Sequence, residues 1–304
     1  MAASLAVLAG LVGCGESEKS FVPPVAEDNP FENARLGTDS TLEVMTWNLR
    51  NFAKDGAVTA AYVMDAVRGL DVDIIALQEI EDDLYFDQVR TGLEDWEGVR
   101  AGSAYKDLNL AFLYRVGGGL TDVTAPYEIL VHSYALPRHP FVLEARFNGV
   151  PIVVIDNHYI CCGDGYIDES NSEDRETRRR DASLLLEEYI RAHFADRGVY
   201  VVGDFNDSLT DAPDRNVFQN FLDAPDMFRF ADMAIALGPG SGWSYPTWPS
   251  HLDHILITAP LFQASQGTEA LTMVVPLHTY LKYGWVTYSG SISDHLPVVL
   301  RLKP

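Results

Sequence analysis

The chain has 304 residues, 47% hydrophobic and 22% charged, a balance that excludes a disordered or fibrous protein. A single domain of this size buries about 75% of its unfolded surface, so it folds without disulfide or metal staples. Lys and Arg total 22 against 44 Asp and Glu, a formal charge of −22, which excludes binding of nucleic acid or anionic lipid through bulk positive charge but not through a locally held cation.

In chain order, the first feature is a short apolar run from Met1 to Cys14, ending in small residues. It falls below the ~18 apolar residues of a spanning helix and has the form of a secretory h-region. Leu11-Val12-Gly13-Cys14 resembles the bacterial lipobox. That resemblance implies removal of residues 1–13 and diacylation of Cys14, each buried CH₂ adding about 0.8 kcal/mol of membrane affinity. No Lys or Arg precedes the run, as a basic n-region would require, which leaves open a start codon further upstream. Residues 14–40 then read as a polar, Pro-containing tether and 41–304 as the folded domain. On this reading the protein is exported and lipid-anchored at the bacterial cell envelope, at the outer membrane in a Gram-negative cell, or released outside. It is a monomer that meets the membrane only through its lipid.

From residue 42 the pattern alternates between strand and helix. Apolar runs at 42–47, 73–78, 110–114, 141–147, 152–156, 199–203, 254–258 and 298–302 read as strands. Helical spacing predicts helices over 57–70, 82–93, 174–194 and 216–222. Segments 160–171 and 237–250 are rich in Gly, Pro, Ser or Asp and read as surface loops. Mixed hairpin-like and crossover connections argue for an α/β sandwich and against an all-parallel sheet.

Chemically capable residues stand just past the ends of the apolar strands, where α/β proteins place their sites. They occur as Asn48, Gln78-Glu79, Arg138, Asp156-Asn157-His158, Asp204-Phe205-Asn206, Asp253 and Ser293-Asp294-His295. Asparagine and carboxylate oxygens are hard donors that suit Mg²⁺. The soft donors, Cys161 and Cys162, are adjacent and alone do not make a tetrahedral zinc site, so zinc is disfavoured. In an oxidising compartment the pair either closes a strained vicinal disulfide or stays reduced; with no other mature thiol except the lipidated one, the disulfide is the expectation.

These motifs, in this order, resemble the endonuclease/exonuclease/phosphatase superfamily, whose fold is that of deoxyribonuclease I. Asn48 in MTWNLRNF, Gln78-Glu79 in DIIALQEI, the complete Gly203-Asp204-Phe205-Asn206, Asp253 in HLDHILIT and the complete Ser293-Asp294-His295 carry the resemblance over residues 42–302. It implies a four-layer α/β sandwich, with two mixed β-sheets packed face to face and helices outside. It also implies that Asn48 and Glu79 hold Mg²⁺ (or Mn²⁺ or Ca²⁺), with Asp294 near a second ion. Asp204 would orient or deprotonate the attacking water, beside Asn206. His295, oriented by Asp253, and His158, oriented by Asp107, would stabilise the pentacoordinate phosphorus or assist the leaving oxygen. Which group is the general base stays open.

Finer matches look like the nuclease branch. Tyr105 stands where that branch contacts a groove, and Arg138, before a Pro and a strand, where it contacts phosphate. Tyr159 to Gly165 departs from the family's pattern after His158, and Arg178 to Arg180 read either as a phosphate-facing patch or as a solvated helix face. The resemblance therefore implies a metal-dependent phosphodiesterase, an extracytoplasmic endonuclease acting on nucleic acid. A phosphomonoesterase or a sphingomyelinase-type lipid phosphodiesterase on the same site stays open, as does a surface lipoprotein that binds without cleaving. The lipid reading would use an apolar hairpin from Trp243, Tyr245 and Trp248, which read equally as loop packing.

Overall fold

Along Leu42–Phe52 successive side chains enter two different cores. Leu42 and Val44 pack into one, Met45, Trp47 and Leu49 into another, as the period of 2 in an extended chain requires. The same division recurs at Ile74 and Ala76 against Ile75 and Leu77, at Ile152 and Val154 against Val153 and Ile155, and at Tyr200 and Val202 against Val199 and Val201. Strands apolar on both faces must be covered on both, so the chain builds layers.

The computed structural model describes residues 28–102 and 108–304. Its strands are β1 (Leu42–Phe52), β2 (Ile74–Ile80), β3 (Trp96–Arg100), β4 (Asn109–Arg115), β5 (Leu120–Thr121), β6 (Tyr127–Glu128), β7 (Phe141–Phe147), β8 (Val150–His158), β9 (Gly198–Asp204), β10 (Phe228–Phe230), β11 (Asp253–Thr258), β12 (Leu271–Val274) and β13 (Val298–Leu302). Its α-helices are α1 (Ala57–Leu70), α2 (Asp83–Gly92), α3 (Arg175–His193), α4 (Gln219–Leu222), α5 (Met233–Ala236) and α6 (Trp285–Ser291). One sheet runs β12-β13-β1-β2-β4-β3; the other runs β10-β11-β9-β8-β7-β5, with β6 also on β7. Both are mixed: β1 is parallel to β2 and β8 to β9, and the other pairings are antiparallel.

The inner core lies between the sheets. A second core packs α1, α2 and α6 on the first sheet, and a third packs α3, α4 and α5 on the second. This is the four-layer sandwich that the motifs implied. Helix α1 spans the predicted residues, and its chain leaves through Asp71 at φ 58, whose N–H donates to Val67 O. Asp82 and Asp174 cap α2 and α3 by accepting from Tyr85 N at 3.1 Å and Thr177 N at 2.7 Å.

Two expectations change. Part of the segment 14–40 read as a tether packs on the folded domain: Phe31 is fully buried against the α1 layer, Ala34 is buried beside it, and Asn29 donates to Asp65 O at 2.8 Å. Strands also run past their predicted ends, β1 to Phe52, β2 to Ile80 and β8 to His158, so Asn48, Glu79 and His158 are strand residues.

Candidate active site

The C-terminal ends of β1, β2, β8 and β9 and the N-terminal ends of β11 and β13 meet at one edge of the sandwich. Register does most of the positioning. Asn48 pairs with Gln78, His158 with Asp204, and Asp204 with Asp253. Gly203 is required next to Asp204: its φ is +143, and a Cβ would lie 1.9 Å from Asn157 O on the neighbouring strand. Register shifts in β1 between Asn48 and Phe52 and in β2 between Leu77 and Ile80 put Glu79 at φ 62, off the pleat. Asn206, at φ 53, is a second non-glycine residue held in the left-handed region beside Asp204.

Asp204, 2% exposed, is the centre. Its Oδ2 accepts from Asn48 Nδ2 at 2.9 Å and lies 3.7 Å from His158 Nε2 and 3.9 Å from His295 Nε2. Its Oδ1 accepts from Asn206 N at 3.0 Å. Asn48 Nδ2 also reaches Glu79 Oε1 at 3.2 Å, and Glu79 Oε2 accepts from Asn51 N at 2.9 Å. His295 Nδ1 bonds Asp253 Oδ2 at 2.8 Å. Behind these stands a hydroxyl scaffold. Ser293 Oγ donates to Asn48 O at 2.6 Å, and Tyr288 Oη to His295 O at 2.7 Å while accepting from Trp47 Nε1 at 2.9 Å.

Burial and charge set the protonation states. Burial pushes the Asp204 carboxyl up, Asp253 and Glu79 adding to it against His295 and Asn48, to about 7. Burial lowers His295, but Asp253, Asp204 and Asp294 raise it to about 10. His158 is held well below the usual imidazole range by burial and by the charges of Arg138 and His295. One imidazole is therefore charged and the other neutral near pH 7, beside a carboxylate poised to take a proton.

Of the expected site residues, the structure brings together Asn48, Glu79, His158, Asp204, Asn206, Asp253 and His295. Asp294 lines the same cleft and is paired with Arg50, Nη1 to Oδ2 at 2.9 Å. Arg138 is 7% exposed and lies close enough to His158 for its charge to lower that imidazole. Tyr105, Asp107 and Cys14 lie outside the described residues. Of the two readings of Arg178 to Arg180, neither a patch facing phosphate nor a freely solvated face describes what they do. Arg178 bonds Tyr134 O and covers the Tyr134 ring, Arg180 pairs with Glu169 and Asp181, and Arg179 is 3% exposed. Arg179 donates to Ile160 O at 2.9 Å, Cys162 O at 2.6 Å and Asp207 Oδ2 at 2.8 Å, fixing the departing loop. Cys161 and Cys162 hold their sulfurs 2.7 Å apart, and the arginine bonds order the loop with or without a covalent link between them.

Sequence reasoning missed Arg50 and read Tyr245 only as part of an apolar hairpin, not as a residue of the cleft. Both line the cleft of about 420 Å³, and the Tyr245 ring lies 4.8 Å from that of His295. Arg50 carries a signal, standing two residues past Asn48 on the same strand. Tyr245 carries none, because its loop has no periodicity. Trp243 donates Nε1 to Ile235 O at 3.0 Å, leaving Trp248, 74% exposed, as the outward aromatic of the expected hairpin.

The donor set fits a divalent metal. Glu79 and Asp204, two carboxylates meeting at one amide in a buried site, repel each other, and Glu79 is one of the charges raising Asp204. A hard cation on these oxygens would relieve that repulsion. Asp204, Asp253 and His295 also lie close enough to share an ion, although Asp253 already bonds His295.

A two-sheet sandwich with a buried acid–base and oxygen-donor cluster at its strand ends defines a hydrolase of phosphate esters. The chain belongs to the Endonuclease/Exonuclease/phosphatase family, whose sequence model matches residues 45–295. Enzymes of this family depend on a divalent metal. Curated protein sequences gave no match. Among solved structures, Danio rerio TDP2 complexed with a single-strand DNA product superposes with a TM-score of 0.65 at 14% identity, covering 87% of this chain and all (100%) of that one. The human Nocturnin catalytic domain gives 0.57 at 16%, covering 86% and 93%. A mannosyl-6-phosphatase of Bacteroides thetaiotaomicron gives 0.58 at 16%, covering 86% and 99%.

Proposed function

We propose that the protein is a divalent-metal-dependent phosphodiesterase acting on nucleic acid outside the cytoplasm, anchored through Cys14. The observation that carries the hydrolytic reading is the convergence on Asp204: two imidazoles within 3.9 Å, one amide at 2.9 Å and a second carboxylate on that amide.

Glu79 and Asn48 would hold the cation, which when bound neutralises charge on a non-bridging phosphate oxygen. Asp204 is placed to orient a water and accept its proton, and Asn206 keeps that carboxylate turned toward the cleft through the N–H to Oδ1 bond. His295, kept protonated by Asp253, offers Nε2–H to phosphate oxygens as charge develops on phosphorus. Neutral His158 serves as a second hydrogen-bonding group at the same carboxylate. Arg50 and Tyr245 line the same cleft and would border a bound phosphate.

Nucleic acid is supported by the nuclease-type motifs, and the solved neighbour that holds a DNA product makes it the first substrate to test. With a charge of −22, attraction is confined to the screening distance of about 8–10 Å around Arg50 and the cation. One observation favours a second reading, a phosphomonoesterase on a small substrate. The arginines expected to grip a polyanion are engaged internally, and Arg50 is paired with Asp294. A panel of plasmid DNA, RNA, sphingomyelin and a sugar phosphate, assayed with Mg²⁺ and with Ca²⁺, separates the readings. Cleavage of plasmid or RNA supports the proposal; turnover of the sugar phosphate alone replaces it with the second reading.

A further inference from the structure

The cleft contains a second kind of donor that hydrolysis does not use. Cys161 and Cys162 both line it, both are exposed, and their sulfurs lie 2.7 Å apart. Their backbone is fixed: Arg175 donates to Cys161 O at 3.3 Å and Arg179 to Cys162 O at 2.6 Å. Fixing the loop in advance lowers the ordering cost of anything that must bind both sulfurs. A ligand captured by one thiol meets the second at high effective concentration, so a bidentate ligand is held far longer than a monodentate one. Softness decides what that ligand is. Thiols select thiophilic centres, whereas Glu79, Asp204 and Asn48 in the same cleft select hard cations.

Position decides the consequence. Cys161 is close enough to Asp204, and Cys162 to Tyr245, for their charges to interact, and Tyr245 packs on His295. A group carried on the two sulfurs therefore stands among the hydrolytic residues. We propose that Cys161 and Cys162 form a chelating dithiol site for a thiophilic ligand of the trivalent arsenical class, and that its occupation obstructs the cleft. The step is a condensation: an arsenic(III) oxide, R–As=O, and two thiols give R–As with two As–S bonds and one water. The two thiol protons leave with the oxygen, arsenic remains trivalent, and no oxidant is consumed.

The obstruction clause rests on the phosphoesterase reading; the binding clause does not. The test uses the full chain, with the Cys161–Cys162 pair first reduced and the reductant removed, and phenylarsine oxide, read by intact mass and by turnover. One adduct should form that survives 2-mercaptoethanol and is removed by a dithiol such as 2,3-dimercaptopropanol. Cys161→Ser and Cys162→Ser should each abolish the monothiol-resistant adduct. Turnover of the native chain should fall at least ~10-fold on labelling and return with the dithiol, while each variant keeps its own unlabelled rate in the presence of the reagent. Absence of a monothiol-resistant adduct overturns the site, and an adduct that leaves turnover unchanged overturns the obstruction. If the adduct forms but the unlabelled chain hydrolyses no phosphoester, the dithiol site stands and the phosphoesterase reading fails.

Discussion

Asp204 and Asp253 face each other across the β9–β11 register, and His295 stands between their carboxylates, bonded to Asp253 at 2.8 Å and 3.9 Å from Asp204. The two aspartates do different work because their surroundings differ. Asp253 has a committed hydrogen bond to an imidazole, whereas Asp204, buried at the meeting point of Asn48, Glu79 and both histidines, is pushed up to about 7.

Asp253→Asn tests the first of these roles. Asp253 heads the causes that raise His295 to about 10 against burial. Without that charge the imidazole titrates toward its ordinary range. Turnover should fall at least ~10²-fold at neutral pH, and the alkaline limb of the pH–rate profile should move down from near 10. An unmoved limb would show that Asp253 does not set the charge of His295.

Asp204→Asn should separate activity from stability. Its folded carboxyl titrates near 7, above the ordinary 3.8, so the protonated form is the one that folding favours. The stability it contributes is complete below about 4 and is lost as pH rises through about 7. Thermal unfolding from pH 5 to 8 should show the variant gaining on the native chain as pH rises, while its turnover is at least ~10²-fold lower throughout. A variant that loses ground with rising pH contradicts the assigned direction.

Arg179→Ala should damage the loop and leave the chemistry intact. Its guanidinium bridges Ile160 O, Cys162 O and Asp207, and it lies 3.2 Å from Glu176. Removing it leaves buried acceptors and a buried charge unpaired, a loss of about 3–5 kcal/mol. The melting temperature should drop by several degrees and KM should rise more than kcat falls. Arg179→Lys should not rescue, because one ammonium cannot reproduce a planar fork of donors.

The anchor is tested in cells. Labelling with a fatty-acid analogue should mark the native protein but not Cys14→Ser, and the variant should leave the membrane fraction. A mature protein that retains residues 1–13 by mass spectrometry contradicts the lipoprotein reading.

Much of this site is legible in the sequence because its residues adjoin apolar runs, where a polar residue stands out. Asn48, Glu79, His158 and Asp204 come after such runs, and Asp253 and His295 come just before those of β11 and β13. Edge strand β3 was not, because WEGVR shows no run of buried residues and is only half covered. Helix α6 was not, because WVTYSGS combines β-branched and glycine residues of low helix propensity, and it is held by Tyr288 packing beneath the site. The directions of Arg178 to Arg180 depend on which acceptors the fold presents, and most of those lie well away in the chain. Arg179 meets carbonyls 17 and 19 residues upstream and a carboxylate 28 residues downstream.

The central claim is that Glu79 and Asn48 hold a divalent cation against a phosphodiester beside Asp204. The direct test is steady-state hydrolysis of plasmid DNA and RNA by the native chain and by Glu79→Gln, before and after exhaustive chelation and again after Mg²⁺ is restored. Chelation should abolish turnover, Mg²⁺ should restore it, and Glu79→Gln should lose at least ~10²-fold even at saturating Mg²⁺ while melting at the native temperature. Full turnover by the metal-stripped chain, or native activity in Glu79→Gln, would contradict it.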